Sequence, residues 1–460
     1  MPVRSTAILT AIFLIILTAS CSGGEPTGSA TLPAAEEPSD LQVLSLSDEE
    51  VVDTYIYLLS RYLVIRQEHI DMAEEGVDYN VIKLNELGKA EFVNPNLDVA
   101  YLETWMKVDS DTPVVLDIPR IEGRYYTAQI MDEWADILYN INERNFPETP
   151  HGKFAFYREG TSPDIPEDTV ALPIPSNKLK MLARVERKGD DEGALGLQQA
   201  FKVTPAGKPK VVPAVNTPMF TNAEPITVDV FSQPMLDQVL ASAPDRMNVA
   251  QMMQEHARKI AEFVEQRDEN RNAIDALIKD KALPALVQFI RTYGDKRGGW
   301  VATTGKELGF GDDYWFRAAA NYAGIWWNNN QEVVYFIGEQ DAGETPLNGD
   351  NVYILHFPAD GLPSDFVDAY WSLTLMSLPD YRVVPNRLGR FNFNNRSEFV
   401  YEDDGSLKLY LSSWLPENAP ESNWLPAPAA SPFTLNLRMY VPKEEVLTGD
   451  YYVPPIEMSN

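Results

Sequence analysis

Apolar residues recur at helical spacing in several parts of the chain. The first such segment spans residues 47–73, and it begins with Ser47 and Glu50 in the arrangement of a capping box. The aromatic side chains of this segment are expected to pack in the core. Between residues 234 and 338 the helical period returns, with Pro284 as a kink or break and Asp312 or Asp313 as an N-cap. This part predicts helices over residues 247–266, 273–293 and 312–337.

Two other parts of the chain carry short apolar runs that are interrupted by proline and glycine, a pattern typical of β-sandwiches or barrels. The runs predict strands at residues 114–118, 125–131, 154–157, 226–231, 352–357, 369–376, 407–411 and 434–441. Residues 188–210 have no clear period and are expected to form a surface excursion. The order of helix, β region, helical segment and β region predicts an α+β multidomain protein.

Residues 1–20 have the features of a secretory signal peptide. Arg4 gives a positive start, and the apolar run over 7–17 is too short to span a bilayer as a helix. The stretch LTASC that ends at Cys21 resembles a bacterial lipobox, although Thr18 stands where leucine is usual. This resemblance predicts that Cys21 becomes the lipidated first residue of the mature chain. Ordinary cleavage nearby, with Cys21 as an incidental thiol, is the alternative.

Residues 21–46 are rich in Ser, Gly, Pro and Glu and lack periodicity. Such a composition predicts a flexible tether that holds the folded body away from the membrane. Ser22, which follows the cysteine, favours the outer membrane by resemblance to lipoprotein sorting rules. We therefore expect a periplasm-facing protein that is attached to the cell envelope by lipid.

Acidic side chains outnumber basic ones by 68 to 38, which gives a formal charge of −30. This charge repels phosphate backbones and argues against nucleic-acid binding. A single cysteine excludes an intrachain disulfide and a thiolate zinc cluster, and the four histidines lack metal-ligand spacing. The chain has neither a glycine-rich phosphate loop nor a Gly-x-Ser-x-Gly motif. We therefore predict no cofactor, and the sequence gives no oligomeric state.

Two long stretches resemble known bacterial families. Residues 94–141, which begin NPNLDVAYLETWMKVD, resemble the domain of unknown function 1254. Residues 370–397 and 423–449 resemble the domain of unknown function 1214, its usual C-terminal partner. The resemblance implies two β-sandwich, jelly-roll-like domains joined by a helical segment, and it implies no activity or catalytic residues. Val99 stands where that family usually has threonine, so a role for that hydroxyl is absent here.

These observations divide the chain into five parts. They are the signal peptide (1–20), the lipidated cysteine and tether (21–46), an N-terminal helix with a β-sandwich domain (47–233), a helical segment (234–340) and a C-terminal β-sandwich domain (341–460).

The loop at residues 94–98 places Asn94, Asn96 and Asp98 at alternate positions, where their oxygens could face a cation such as calcium. The glycine and glutamate of an EF-hand are missing, and Asx side chains also stabilise turns. Turn structure is the favoured interpretation, and calcium remains the alternative.

The predicted strand over residues 124–132 has no cleanly apolar face. Tyr126 and Asp132 share one face with Arg124, while Tyr125 and Gln129 lie on the other. A polar, aromatic strand could line a cavity, but pairing of the Arg124–Asp132 type at the rim of a sheet is the preferred interpretation.

Further candidates for a ligand site carry aromatic rings, amides or guanidinium groups. They are Trp105, which could supply a stacking surface near this strand, and Trp371, Asn386, Arg390 and Trp424 near the C-terminus. Salt bridges between domains, without any ligand, are the preferred explanation of the C-terminal group.

Three functions remain open. The first is an envelope lipoprotein that binds a small uncharged or cationic ligand in a pocket formed by its β domains. The second is a periplasmic hydrolase that uses paired carboxylates or a bound metal, with Asp98, Tyr101, Tyr126 and Asp132 as candidate catalytic residues. The third is a structural or assembly lipoprotein.

Overall fold

The computed structural model describes residues 44–88, 94–210, 212–305 and 309–459. The predicted signal peptide, Cys21 and most of the predicted tether lie outside these residues. The α-helices are α1 (Asp48–Met72), α2 (Asp191–Ala200), α3 (Gln233–Ser242), α4 (Ala250–Glu265), α5 (Asp268–Leu277), α6 (Leu283–Thr292), α7 (Tyr314–Gly324) and α8 (Glu444–Thr448).

The first nine strands belong to the N-terminal half. They are β1 (Lys83–Leu84), β2 (Val99–Lys107), β3 (Val114–Ile118), β4 (Tyr126–Met131), β5 (Ile137–Ile141), β6 (Gly152–Arg158), β7 (Thr169–Ile174), β8 (Lys178–Glu186) and β9 (Lys202–Pro205). The remaining strands are β10 (Asp295–Arg297), β11 (Trp300–Ala302), β12 (Val333–Gly338), β13 (Tyr353–Phe357), β14 (Trp371–Ser377), β15 (Asn392–Asn394), β16 (Leu407–Ser412), β17 (Trp424–Pro426), β18 (Phe433–Tyr440) and β19 (Glu457–Met458).

The N-terminal β body contains two sheets. One has the strand order β1-β2-β8-β4-β5 and the other the order β7-β6-β3-β9. Side chains from both sheets meet in one apolar core, to which Leu116 and Phe154 of one sheet and Leu102, Ile130 and Met181 of the other contribute. Each of these side chains is almost completely buried, so this core is a principal source of the stability of the body.

The C-terminal β body is built in the same way. Its larger sheet has the order β10-β11-β12-β18-β14-β15, and its smaller sheet has the order β17-β16-β13-β19. Phe336, Leu373 and Leu437 from the larger sheet pack with Leu355 and Leu409 from the smaller one. The chain is therefore an α+β protein with two β bodies, as the pattern predicted.

The helical region forms a third core around α1. Ser47 and Glu50 make both hydrogen bonds of the predicted capping box, which confirms the predicted start of this helix. The buried face of α1 packs against α4 and α7. Tyr55 and Tyr62 lie in this core, as expected of the aromatic residues, and their hydroxyls donate to backbone carbonyls.

Two secondary-structure predictions were wrong, because a short apolar run does not reveal the tertiary partners that decide between helix and strand. Residues 226–231 contain a 3-10 helix (Val228–Phe231) in place of a strand, since the carbonyls of Ile226 and Val230 accept the tyrosine hydroxyls of α1. The helix predicted over 312–337 begins as expected, with Asp313 as its N-cap, but ends at Gly324. The last residues of the predicted range, 333–337, belong instead to strand β12, which pairs with β11 and β18.

The predicted surface excursion at 188–210 contains regular structure. The side chain of Asp190 accepts a hydrogen bond from the backbone of Gly193 at 2.9 Å and caps α2. Strand β9 then pairs with β3 and extends the smaller N-terminal sheet. Pro284 lies in the first turn of α6, after a π-helical turn at Ile278–Ala282 that connects α5 to α6.

Candidate functional site at the contact between the two β bodies

The loop before β2 joins the two β bodies through Asp98, which is only 5% exposed. Its carboxylate accepts hydrogen bonds from the amide of Asn394 at 2.7 Å and from that of Asn392 at 3.0 and 3.1 Å. Burial raises the pKa of Asp98, while the hydrogen bonds from the two amides oppose that shift. Asp98 is therefore a point of attachment for β15, which belongs to the other body.

Asn94 and Asn96 extend this contact. Asn94 has a φ of 48°, and its side-chain oxygen accepts from Arg438 at 2.6 Å and from Asn436 at 2.9 Å. The side-chain oxygen of Asn96 accepts from the backbone of Asp98, and its amide donates to the hydroxyl of Tyr440. Only Asn96 bonds a backbone N–H of its own loop, as turn structure requires, whereas the oxygens of Asn94 and Asp98 accept from side chains of the C-terminal body. The contacts give no support to calcium.

Tyrosine rings from both bodies pack together behind this loop. Tyr370 and Tyr440 of the C-terminal body stack with centroids 4.3 Å apart, and Tyr125 of the N-terminal body contacts both rings. The hydroxyl of Tyr125 donates to Glu332 at 3.0 Å, and Arg144 binds the same carboxylate at 2.7 and 2.9 Å. We call Tyr101, Tyr125, Arg184, Tyr335, Tyr370 and Tyr440 the tyrosine–arginine cluster.

Arg184 on β8 is the central cation of the tyrosine–arginine cluster and is 4% exposed. Its Nη1 donates to the side-chain oxygen of Gln129 at 2.6 Å, and its guanidinium carbon lies 5.4 Å from the ring centroid of Tyr101. Gln129 is held in this orientation because its amide donates to the carbonyl of Trp327 at 2.7 Å. Within the described ranges, no carboxylate forms an ion pair with Arg184.

The hydroxyls of four tyrosines replace a carboxylate as the electrostatic neighbours of this guanidinium. Burial alone would lower the pKa of Arg184, but the tyrosines at 101, 335, 125 and 440 raise it above its ordinary value. An arginine guanidinium stays protonated in proteins, so Arg184 is a buried cation. A buried positive charge with neutral neighbours is an unusual feature in a protein with a formal charge of −30.

Tyr101 and Tyr335 lie near Arg184: Tyr101 is its register partner between β2 and β8, and Tyr335 packs against the same apolar group as Tyr101. Burial raises the pKa of Tyr335, whose side chain is half-buried. Tyr101 is likewise half-buried. Part of each side chain is therefore accessible to solvent, and we call the accessible space beside these two tyrosines the cleft. In the described part of the chain, neither hydroxyl has a hydrogen-bond partner.

The predicted pairing at the rim of a sheet is wrong for residues 124–132. Strand β4 lies between β8 and β5, and all six of its residues are buried. Arg124 pairs with Asp190 at 2.8 Å and not with Asp132. The polar face of the strand carries Thr127 and Gln129 toward Asn140 and Arg184. The polar groups of this face are thus paired within the protein.

Several predicted residues lie away from the tyrosine–arginine cluster. The hydroxyl of Tyr126 donates to the carbonyl of Pro150 at 2.6 Å, and Trp105 donates to Asp71 at 2.8 Å. Asp132 accepts from the backbone of Trp134 and Asp136, at a turn that contacts the helical region. Of the candidate catalytic residues, only Asp98 and Tyr101 therefore lie at the contact between the β bodies.

The C-terminal candidates likewise serve their own body. Arg390 donates to the carbonyl of Trp424 at 2.9 Å, and Trp424 donates to the carbonyl of Ser412 at 3.0 Å. Asn386 stabilises a turn, and Trp371 packs in the core. The predicted salt bridge between domains exists at another residue of that group, Arg396, which binds Glu186 at 2.8 Å.

Sequence reasoning missed Arg184, Tyr335, Arg438 and Tyr440. One signal was present: β8 alternates Leu179, Met181, Ala183 and Val185 with the polar residues Lys178, Lys180, Arg184 and Glu186, interrupted only by Leu182. Such alternation predicts one apolar and one polar face, and the polar face is fully buried. The tyrosines come from strands that are remote in sequence, and no local pattern indicates that they face Arg184.

In the described ranges, no group of three or more His, Cys, Asp or Glu side chains could hold a metal ion. Among the same residues, no helix combines the length and apolarity that are needed to cross a membrane.

Comparisons with known proteins give families and folds. A family model described as "Protein of unknown function (DUF1254)" matches residues 79–205, and one described as "Protein of unknown function (DUF1214)" matches residues 332–444. The solved VPA0106 protein from Vibrio parahaemolyticus is 20% identical, with coverage of 90% of this chain and 100% of that chain and a TM-score of 0.65. This similarity shows a shared fold.

A second solved structure, a putative uncharacterized protein from Burkholderia cenocepacia, is 12% identical, with coverage of 90% of this chain and 95% of that chain and a TM-score of 0.42. No curated protein matches the chain.

Proposed function

We propose that this chain, in which a DUF1254 domain precedes a DUF1214 domain, is an exported envelope lipoprotein that binds a small ligand between its two β bodies. The ligand would occupy the cleft beside Arg184, Tyr101 and Tyr335. The proposal includes a sandwich arrangement of each β body, which is supported by the cores that each pair of sheets shares.

The observation that carries the proposal is the contrast among the cations on the polar face of β8. Lys178 binds Glu68 at 2.8 Å, and Lys180 binds Asp71 at 2.7 Å. Arg184 lies four residues beyond Lys180 on the same face of β8. Its partners are the neutral amide of Gln129 and several tyrosines. A buried charge without a counter-charge lowers the free energy of unfolding by roughly several kcal/mol. Carboxylates of α1 pair with two of the cations on this face, and the third cation, which has no such partner, is well suited to receive a ligand.

A thermal-shift screen tests this binding. At a ligand concentration of 100 Kd, a specific ligand should add about 2.7 kcal/mol to the free energy of unfolding. The library should contain sugars, polyols, amines, amides and carboxylic acids. A hit that uses the cleft should lose most of its shift in Tyr335→Phe. It should keep the shift in Tyr139→Phe, which removes a hydroxyl that bonds the carbonyl of Pro173 outside the cluster. A folded protein without any hit contradicts the proposal.

The proposed export and lipidation are tested by intact mass spectrometry of the protein after expression in its native bacterial host. We expect a mature chain that begins at Cys21 and carries acyl chains, because acyl chains anchor a protein without a membrane-spanning helix. In Cys21→Ser this processing should be lost. A wild-type product with a free thiol at position 21, or with the leader still attached in the cytosol, contradicts the lipoprotein part of the proposal.

Hydrolysis by paired carboxylates has less support than binding. The carboxylates of Asp98 and Asp132 contact different neighbours and form no pair. Burial raises the pKa of both Asp132 and Asp136 at the turn after β4, but this pair faces Arg317 in the helical region and not the cleft. A cationic ligand is also disfavoured, because Arg184 would repel it.

A further inference from the structure

We infer that the ligand of this cleft is a monocarboxylate with an apolar body, whose carboxylate binds between the guanidinium of Arg184 and the hydroxyls of Tyr101 and Tyr335. This inference rests on the proposed function and specifies its ligand class.

The first argument is the type of polar group that the cleft offers. A guanidinium has five N–H donors and no acceptor, and Nη1 of Arg184 donates to Gln129. The hydroxyls of Tyr101 and Tyr335 can each donate one further hydrogen bond. A carboxylate has about four acceptor positions on two oxygens, and guanidinium–carboxylate geometry is frequently bidentate. The donors of the cleft thus match a carboxylate better than an amine or an amide.

The second argument is charge. One carboxylate would neutralise the single charge of Arg184, whereas a dianionic phosphate would leave a buried negative charge in excess. The neighbouring Arg438 does not alter this count, because its guanidinium donates to Asn94 and its charge acts on the buried Asp98, whose pKa it lowers. An ammonium group would place two positive charges together. A monoanion is therefore favoured over both.

The third argument is the wall of the cleft. Tyr101 and Tyr335 pack against an apolar group from both bodies. Its buried members are Val99, Tyr125, Val333, Tyr370 and Tyr440. Rings and branched aliphatic side chains stabilise an apolar or aromatic ligand body by burial of its surface. The ligand should consequently carry few polar groups apart from the carboxylate.

Arg66 provides a matched comparison within the same chain. It is also buried, donates to the amide oxygen of Asn222 at 2.8 Å and lies 4.8 Å from the ring centroid of Phe220. Burial lowers the pKa of Arg66 to about 10, in contrast to the shift in Arg184. One tyrosine, Tyr322, opposes the effect of burial on Arg66, whereas four tyrosines oppose it on Arg184.

Isothermal titration of the purified full-length protein with benzoate, hexanoate, inorganic phosphate and benzamide tests the inference. Benzoate or hexanoate should bind at least about tenfold more tightly than benzamide, since hydrogen bonds to a charged group contribute roughly 1.5–3 kcal/mol. Arg184→Gln should weaken carboxylate binding at least about tenfold, and Arg184→Lys should weaken it less. Arg66→Gln should leave the affinity within about twofold. Circular dichroism and urea midpoints verify that each variant is folded.

The outcomes separate this inference from the proposed function. Equal binding of benzoate and benzamide, or an unchanged carboxylate affinity in folded Arg184→Gln, overturns the carboxylate assignment. If only an uncharged hit from the screen binds, and Tyr335→Phe abolishes its binding, the inference fails and the proposed function stands. If no compound binds the folded wild type, both fail. Should Arg184→Gln not fold, the benzoate-to-benzamide ratio in the wild type and the Arg184→Lys variant decide the matter.

Discussion

Arg317→Met is expected to lower the free energy of unfolding by about 3–5 kcal/mol at pH 7, because it leaves buried carboxylates without their counter-charge. The guanidinium of Arg317 is fully buried and binds Asp245 at 2.7 Å and Asp136 at 3.2 Å. It also lies 4.6 Å from the ring centroid of Trp134. Methionine can fill part of the space, but it can replace none of these ionic contacts. Urea denaturation followed by tryptophan fluorescence measures the loss.

The loss should depend on pH. Burial acts to raise the pKa of Asp245, but the hydrogen bond and charge of Arg317 prevail and hold it below its ordinary value. In the wild type, the stability from Asp245 is therefore present above about pH 4 and is lost as the pH falls through the lowered pKa. In the variant, only the hydrogen bonds from Tyr57 and Met247 still oppose burial, so this pKa rises and protonation below neutral pH stabilises the folded state. The difference between the two proteins should shrink from pH 7 to pH 5.

Two controls accompany this prediction. Arg66→Met removes a buried arginine with a neutral partner, so it should cost about 1–3 kcal/mol without the same pH dependence. Addition of Asp245→Asn to Arg317→Met should restore about 1–2 kcal/mol, since it removes an uncompensated charge. A loss in Arg317→Met that is no larger than in Arg66→Met, or that is independent of pH, contradicts the argument.

Asp98→Asn is expected to cost about 2–4 kcal/mol, because charge-assisted hydrogen bonds to a buried carboxylate are lost. An asparagine at this position can offer only one acceptor oxygen, and its amide would face the amides of Asn392 and Asn394. Because these bonds join the two β bodies, urea denaturation should show an earlier loss of their contact.

Asp190→Asn is the matched control for this substitution. Asp190 also accepts bonds from a side chain and the backbone, namely from Arg124 at 2.8 Å and from Gly193 at 2.9 Å, but it is exposed. Exposed ion pairs contribute about 0–1 kcal/mol, and asparagine is as good an N-cap as aspartate. Equal losses in the two variants would show that Asp98 is not a special point of attachment.

The parts of the fold that depend on local chemistry were predictable from the sequence. The start of α1 follows from the capping box at Ser47 and Glu50, and the N-cap of α7 follows from Asp313. Local pattern failed at residues 226–231 and 325–337, where the structure is decided by hydrogen bonds to α1 and by strand pairing with β18. Such tertiary partners override the local preference of a short apolar run.

The candidate site was likewise predictable only in part from the sequence. Asn94, Asn96 and Asp98 were identified from their alternate polar spacing, but the amide of Asn392 that binds Asp98 lies 294 residues further along the chain. The polar face of β8 was visible in the sequence. The partners of its cations were not visible, because only folding brings together the elements that carry them. Lys178 pairs with a carboxylate, whereas Arg184 lies near tyrosines.

The most direct test of the ligand site is the anomalous diffraction of crystals soaked with 4-bromobenzoate at a concentration that saturates binding in solution. The bromine should appear within the cleft, with the carboxylate between Arg184, Tyr101 and Tyr335 and the halogen directed toward the apolar wall. A bromine peak elsewhere on the protein, or an empty cleft in such crystals, would contradict the assignment of this contact between the β bodies as a binding site.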